Sequence, residues 1–101
     1  MNQIALNFDV RENTQEGQVL AMLRGRGIVT NYDLHAAGIS HIARNRISNL
    51  RGKGYVIAQK GFGQGEDWLR NAYRIVWYPG EFHDDTVEAG LRADGWWIRP
   101  E

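Results

Sequence analysis

His41, Arg44, Asn45 and Ser48 follow one another at spacings of three, one and three. In a helix, that spacing gathers them on one side. None of the four is acidic or large and apolar, and Asn49 stands at the edge of the same face. A guanidinium fork matches O6 and N7 of guanine, and a carboxamide pairs both ways with N6 and N7 of adenine, so the set is suited to reading base edges in a major groove. Downstream come Arg51, Lys53, Lys60 and Arg70. Cations placed at the end of such a helix and beyond it are expected to hold phosphates, which position a protein on a duplex without specifying sequence. Arg46 falls nearer the apolar stripe, where its stem can lie on apolar surface as readily as its head reaches a phosphate. The bland alternative for the whole face is a solvated helix surface. What precedes and follows the helix decides against it.

Other chemistry finds little support. His35, His41 and His83 are dispersed and no cysteine joins them, so no metal site is expected. Glu66 with Asp67 and Asp84 with Asp85 lie in loop-like segments without a partnered base or nucleophile, and read as solvated charge. The glycines of GFGQG lack the strand-to-helix context of a dinucleotide loop. No cofactor is expected, and the chain reads as a binding protein, not an enzyme.

The elements that must carry the polar face can be read in order. Thr14 caps a first helix running to about Arg24, with Val19, Leu20 and Leu23 on its apolar face, Met22 at the margin, and Gly25 and Gly27 to stop it. Ile28 and Val29 form a very short strand. Thr30 and Asp33 have the spacing of a capping box, with Asp in place of the usual Glu, and Gly38 ends the short helix they start. Ser40 caps the next helix, expected over residues 40–51, whose stripe of Ile39, Ala43, Ile47 and Leu50 faces the core. RGKG closes it. Residues 55–60 then read as a strand, residues 61–71 as a glycine-bearing loop with Phe62, Gln64, Trp68 and Arg70, and residues 72–78 as a half-buried returning strand. In that strand Tyr73, Ile75 and Trp77 alternate with Arg74, Val76 and Tyr78.

Helix, strand, helix, turn, helix, hairpin is the plan of a winged helix-turn-helix. The fold class expected is α+β, a three-helix core with a two- to three-stranded antiparallel wing, plus a short C-terminal helix and strand extension. Residues 1–13, with Ile4, Leu6, Phe8 and Val10 alternating, form an arm or strand; residues 14–80 form the domain; residues 81–101 pack on it or at an interface. Phe62, Gln64, Trp68 and Arg70 either enter a minor groove or pack back on the fold. Within the extension, LRADGWWIRPE echoes LRGKGYVIAQK, a recurring local solution and not a true repeat. One of Trp96 and Trp97 is expected in the core.

QVLAMLRGRG, TNYDLHAAGI, NRISNLRGKGYVI and AYRI, in that order, resemble the helix-turn-helix proteins of bacteriophages and prophages that carry a small winged-helix module. The resemblance covers about residues 18–78. It implies a DNA-binding fold whose third helix reads the major groove, serving as a transcriptional regulator or an accessory factor in phage DNA transactions. The loop over residues 61–71 is long for such a module.

The whole chain sets the bounds. Its 101 residues make one domain, and four Trp, four Tyr and three Phe are ample for a core. No run approaches the roughly 20 apolar residues that span a bilayer, and MNQIALNFDV is unlike a signal peptide. With the lack of cysteine, this points to a cytoplasmic protein without membrane contact. Net charge is zero, which alone argues against nucleic acid. Its distribution argues the other way. Residues 24–60 hold seven Arg and Lys against Asp33 alone, a net of plus six, whereas residues 79–101 net minus four and residues 1–23 minus two. A local field of that sign can neutralise phosphates. Double-stranded DNA is the partner expected, and dimerisation through the terminal arms would set two readers about 34 Å apart. The rival expectation is a module that binds or inhibits a host or phage protein through its acidic, Trp-bearing C-terminal part.

Overall fold

In the computed structural model, which describes residues 14–39 and 43–98 and, for residues 43 and 44, the backbone alone, the first two helices start at the expected caps. The order is α1 (Gln15–Arg26), β1 (Ile28–Thr30), α2 (Asn31–Ala36), α3 (Ala43–Gly52), β2 (Val56–Lys60), a 3-10 helix (Gly65–Arg70), β3 (Ala72–Trp77) and α4 (Asp85–Ala93). The expected N-terminal arm, the Ser40 cap and His41 lie outside the described residues. Thr14 Oγ1 accepts the Gly17 N–H at 3.0 Å. The box at α2 closes in both directions, Asp33 N–H to Thr30 Oγ1 at 3.1 Å and Thr30 N–H to Asp33 Oδ2 at 3.0 Å. The expected end of α1 needs correction. Gly25 does not stop α1; the helix absorbs it, because one glycine costs only about 1 kcal/mol, and continues to Arg26 before Gly27 ends it.

The three strands form an antiparallel sheet in the order β1-β3-β2. Neighbouring residues on a strand point to opposite faces, and two cores divide accordingly. Against the helices lie Ile57 and Tyr73 with Val19, Leu23, Leu34, Ile47 and Leu50; on the other face Ala58 meets Trp96 and Ile98, flanked by Val56, Val76 and Leu91. The strict alternation expected of residues 72–78 does not hold to the end. A register shift pairs Val56 with Trp77 but Ile57 with Ile75. That bulge lets Tyr78 pack in the helix-side core with Tyr73 and Ile75.

The C-terminal segment covers the second face of the sheet. Trp96 and Ile98 are buried, and Trp97 exchanges two backbone bonds with Gln59, at 2.9 and 2.7 Å, along the edge of β2. Trp96 is therefore the core tryptophan, and Trp97 stays 38% exposed. The likeness of LRGKGYVI to LRADGWWI has a geometric meaning. Leu50 O accepts from Tyr55 N–H at 3.2 Å and Leu91 O from Trp96 N–H at 2.9 Å, across Gly54 (φ 104°) and Gly95 (φ 94°). Each turn needs a left-handed residue, which glycine adopts without strain. Each arginine then closes onto the carbonyl six residues ahead: Arg51 Nη2 to Ile57 O at 2.7 Å, Arg92 Nη2 to Ile98 O at 3.1 Å.

Tyr55 lies buried edge-on to Tyr78, their ring centroids 5.7 Å apart. Burial raises its phenol above the ordinary value of 10.0, with Arg24 opposing in part. The folded state thus keeps the proton longer than the unfolded one. The resulting stability is fully present below about pH 10 and is lost as pH rises through the window above it. Thermal melts from about pH 8 to 11 should show wild type losing more stability above pH 10 than Tyr55→Phe. Parallel curves would refute this.

Candidate nucleic-acid interface

α3 turns Ile47 and Leu50 inward, both essentially without exposure. Asn45, Ser48 and Asn49 lie exposed on the far side. At about 100° per residue these three share one arc, with Asn45 between the other two. Asn49, placed at the edge by spacing alone, is exposed like Asn45 and lies one turn beyond it. Arg44 stands in the first turn of the helix. Asn45 and Ser48 are thus brought together as expected, and Asn49 joins them.

The expected phosphate contacts are partly occupied within the fold. Arg51 donates Nε and Nη2 to Ile57 O, at 3.2 and 2.7 Å, and its guanidinium carbon lies 5.7 Å from the centre of the Trp97 ring. Its first task is to tie the end of α3 to β2. Lys53 forms an ion pair with Glu16 on α1. Lys60 stands 4.0 Å from Asp94 and 5.2 Å from the centre of the Trp96 ring. Partly exposed pairs of this kind contribute about 0–1 kcal/mol, so a phosphate can displace the carboxylate. Arg70 is exposed at the end of the 3-10 helix, its side chain in no hydrogen bond or ion pair among the described residues. Arg46 is half-buried and its Nε lacks a partner among the described residues, as a stem lying on the core rim would leave it.

α4 and α3 pack in different core clusters. α4 packs through Leu91 on the sheet face opposite the helices. Asp84 caps it by accepting the Thr86 N–H at 2.8 Å, and Glu88 pairs with Arg92 at 2.6 Å.

The glycine-bearing loop is not an open one. Asn71 Oδ1 accepts the Gly63 N–H at 2.9 Å and Asn71 Nδ2 donates to Gly63 O at 3.2 Å, a side chain imitating a strand partner. A Cβ on Gly63 would fall 2.5 Å from that of Asp67, so only glycine fits there. Asn31, fully buried at the start of α2, donates its side-chain amide to Trp68 O and its backbone N–H to Asn71 O, each at 2.9 Å. The loop is thereby docked on α2. Spacing pointed to neither asparagine, because an isolated polar residue at an element boundary has no period. Phe62 remains 59% exposed, edge-on to Trp97 at 5.9 Å. Gln59, Phe62, Gln64, Trp68, Asn71 and Tyr73 line a cleft of about 510 Å³ between loop and strands.

Among the described residues no group of three His, Cys, Asp or Glu could hold a metal ion, and no helix is long and apolar enough to cross a membrane. Comparison with protein families, with curated proteins and with solved structures found no match.

Proposed function

We propose that the chain is a non-enzymatic, double-stranded-DNA-binding protein of the winged-helix kind, a phage or prophage transcriptional regulator or accessory factor acting on DNA in the cytoplasm. α2 and α3 would form the helix-turn-helix, and β2, β3 and their loop the wing. The observation that carries the reading is the exposed Asn45, Ser48 and Asn49 face of α3, free of acidic residues and followed by the hairpin that joins β1 in the order β1-β3-β2. In this reading His41, Arg44, Asn45 and Ser48 meet base edges, and Arg51, Lys53, Lys60 and Arg70 meet phosphates. The packing of α4 in the other core cluster from α3 favours it, since Glu16, paired with Lys53, is then the acidic group set against the end of α3.

The test is fluorescence anisotropy with mixed-sequence duplex over a salt series. The logarithm of affinity should fall linearly with the logarithm of salt, by about 0.9 per phosphate engaged. Lys53→Ala should weaken all sequences alike and reduce the slope by about 1. No binding at low salt would turn the reading to its rival, a protein-interaction module. One observation speaks for that rival: Phe82 is 85% and Val87 45% exposed in the acidic segment. Sedimentation with and without duplex tests dimerisation, and a monomer in both would remove it.

A further inference from the structure

The cleft beside the docked loop is not used by the duplex reading. Half of its principal lining is aromatic, Phe62, Trp68 and Tyr73, and half is carboxamide, Gln59, Gln64 and Asn71; no charged side chain lines it. We propose that it receives one planar, uncharged nitrogen heteroaromatic ring, the chemistry of a nucleobase. Its volume of about 510 Å³ lies within the range of small-molecule sites, roughly 300–1,000 Å³. That is space for one ring system and too little for a helix or strand. Aromatic faces hold unstacked bases by stacking, whatever their identity.

The amides supply the edge recognition. Gln64 accepts the Asp67 N–H through its backbone carbonyl at 3.1 Å, while its side-chain amide caps nothing, so that amide's donor and acceptor both face the cleft. Gln59 has its Nε2 on Gly61 O at 3.0 Å, which leaves Oε1 to accept. A base edge offers alternating donors and acceptors that answer such a pair. A purely apolar side chain would leave the amides without partners, which is costly once water is displaced. The walls are built before any ligand arrives. Asn71 clamps Gly63, Gly63 packs tightly on Asp67, and Asn31 holds Trp68 from α2. Binding therefore has little loop ordering to offset.

The ring can come from a free nucleoside or from an unpaired base in a strand. The full chain, labelled with ¹⁵N, is titrated with each of four nucleosides, with a single-stranded oligonucleotide, with the same sequence as duplex, and with inorganic phosphate. Expected are saturable shifts of the Trp68 indole N–H, the Gln64 side-chain amide and the Gly63 backbone N–H, with nucleoside or single strand and not with phosphate. Shifts with nucleosides assign a free ligand; shifts with the single strand alone assign a strand base. Trp68→Ala should weaken binding by about tenfold or more. Gln64→Ala, at an exposed position that leaves the fold unaffected, should change the order of preference among bases. Absence of shifts at these three groups with every base-bearing probe overturns the proposal, as does response to a peptide bearing proline or aromatic residues and to none of the bases. Duplex binding is read separately at Asn45, Ser48 and Asn49, so either reading can fail without the other.

Discussion

Replacing Arg44 and Asn45 together with alanine is expected to flatten sequence preference while the fold stands. Each bidentate pairing with a base edge discriminates by about 1–3 kcal/mol, and removing both at once should bring a preferred site close to a scrambled one. The fold should survive because α3 is held by Ile47 and Leu50 on its other side, and because alanine is the best helix former. The measurement is the ratio of affinities for the selected site and a scrambled duplex at one salt concentration. Residual binding should persist through the phosphate contacts, with its salt slope nearly unchanged. An unaltered ratio would mean that the reader face has been wrongly assigned. Asn49→Ala then serves as a graded companion, since Asn49 shares the exposed arc with Asn45.

Trp96→Ala should be the most destabilising single change in the C-terminal segment, at about 3–5 kcal/mol. Trp96 is 5% exposed, packs with Ala58 and Ile98, and its ring lies beneath Lys60 and Arg74, at 5.2 and 5.5 Å from the ring centre. Domains of this size are stable by only about 5–15 kcal/mol, so the variant should unfold at markedly lower urea. Trp97→Ala is the control. Trp97 is 38% exposed, and its backbone pairing with Gln59 does not depend on the side chain, so the loss should be much smaller. If the two variants melt alike, the second sheet face is not the structural layer described.

Local signals were legible where one short stretch contains the whole cause. A threonine and the amide three residues on make a cap, so Thr14 and the Thr30–Asp33 box could be read from spacing. A stripe at helical period must be buried somewhere, so Ile47 and Leu50 were identifiable as inward-facing before any partner was known. The α+β order of elements followed from the same periods. Gly25 does not end α1, because a glycine marks an end only where the backbone must turn left-handed, as at Gly27.

By itself, then, the sequence determined the caps, the inward stripe of α3, the strands on either side of the loop and the concentration of positive charge within residues 24–60. Each of these depends on neighbours a few residues apart, where chain geometry allows one outcome. Tertiary structure decided the rest. It chose Trp96 over Trp97 for the second core, turned Tyr78 inward through the bulge, set Arg51 on Ile57 O and Lys53 on Glu16, and folded residues 61–71 onto α2 through Asn31 and Asn71. Most of those choices join residues distant along the chain, and no period or spacing encodes which distant surface a side chain will meet. Only the packed arrangement, in which burial and hydrogen-bond satisfaction are met together, selects among them.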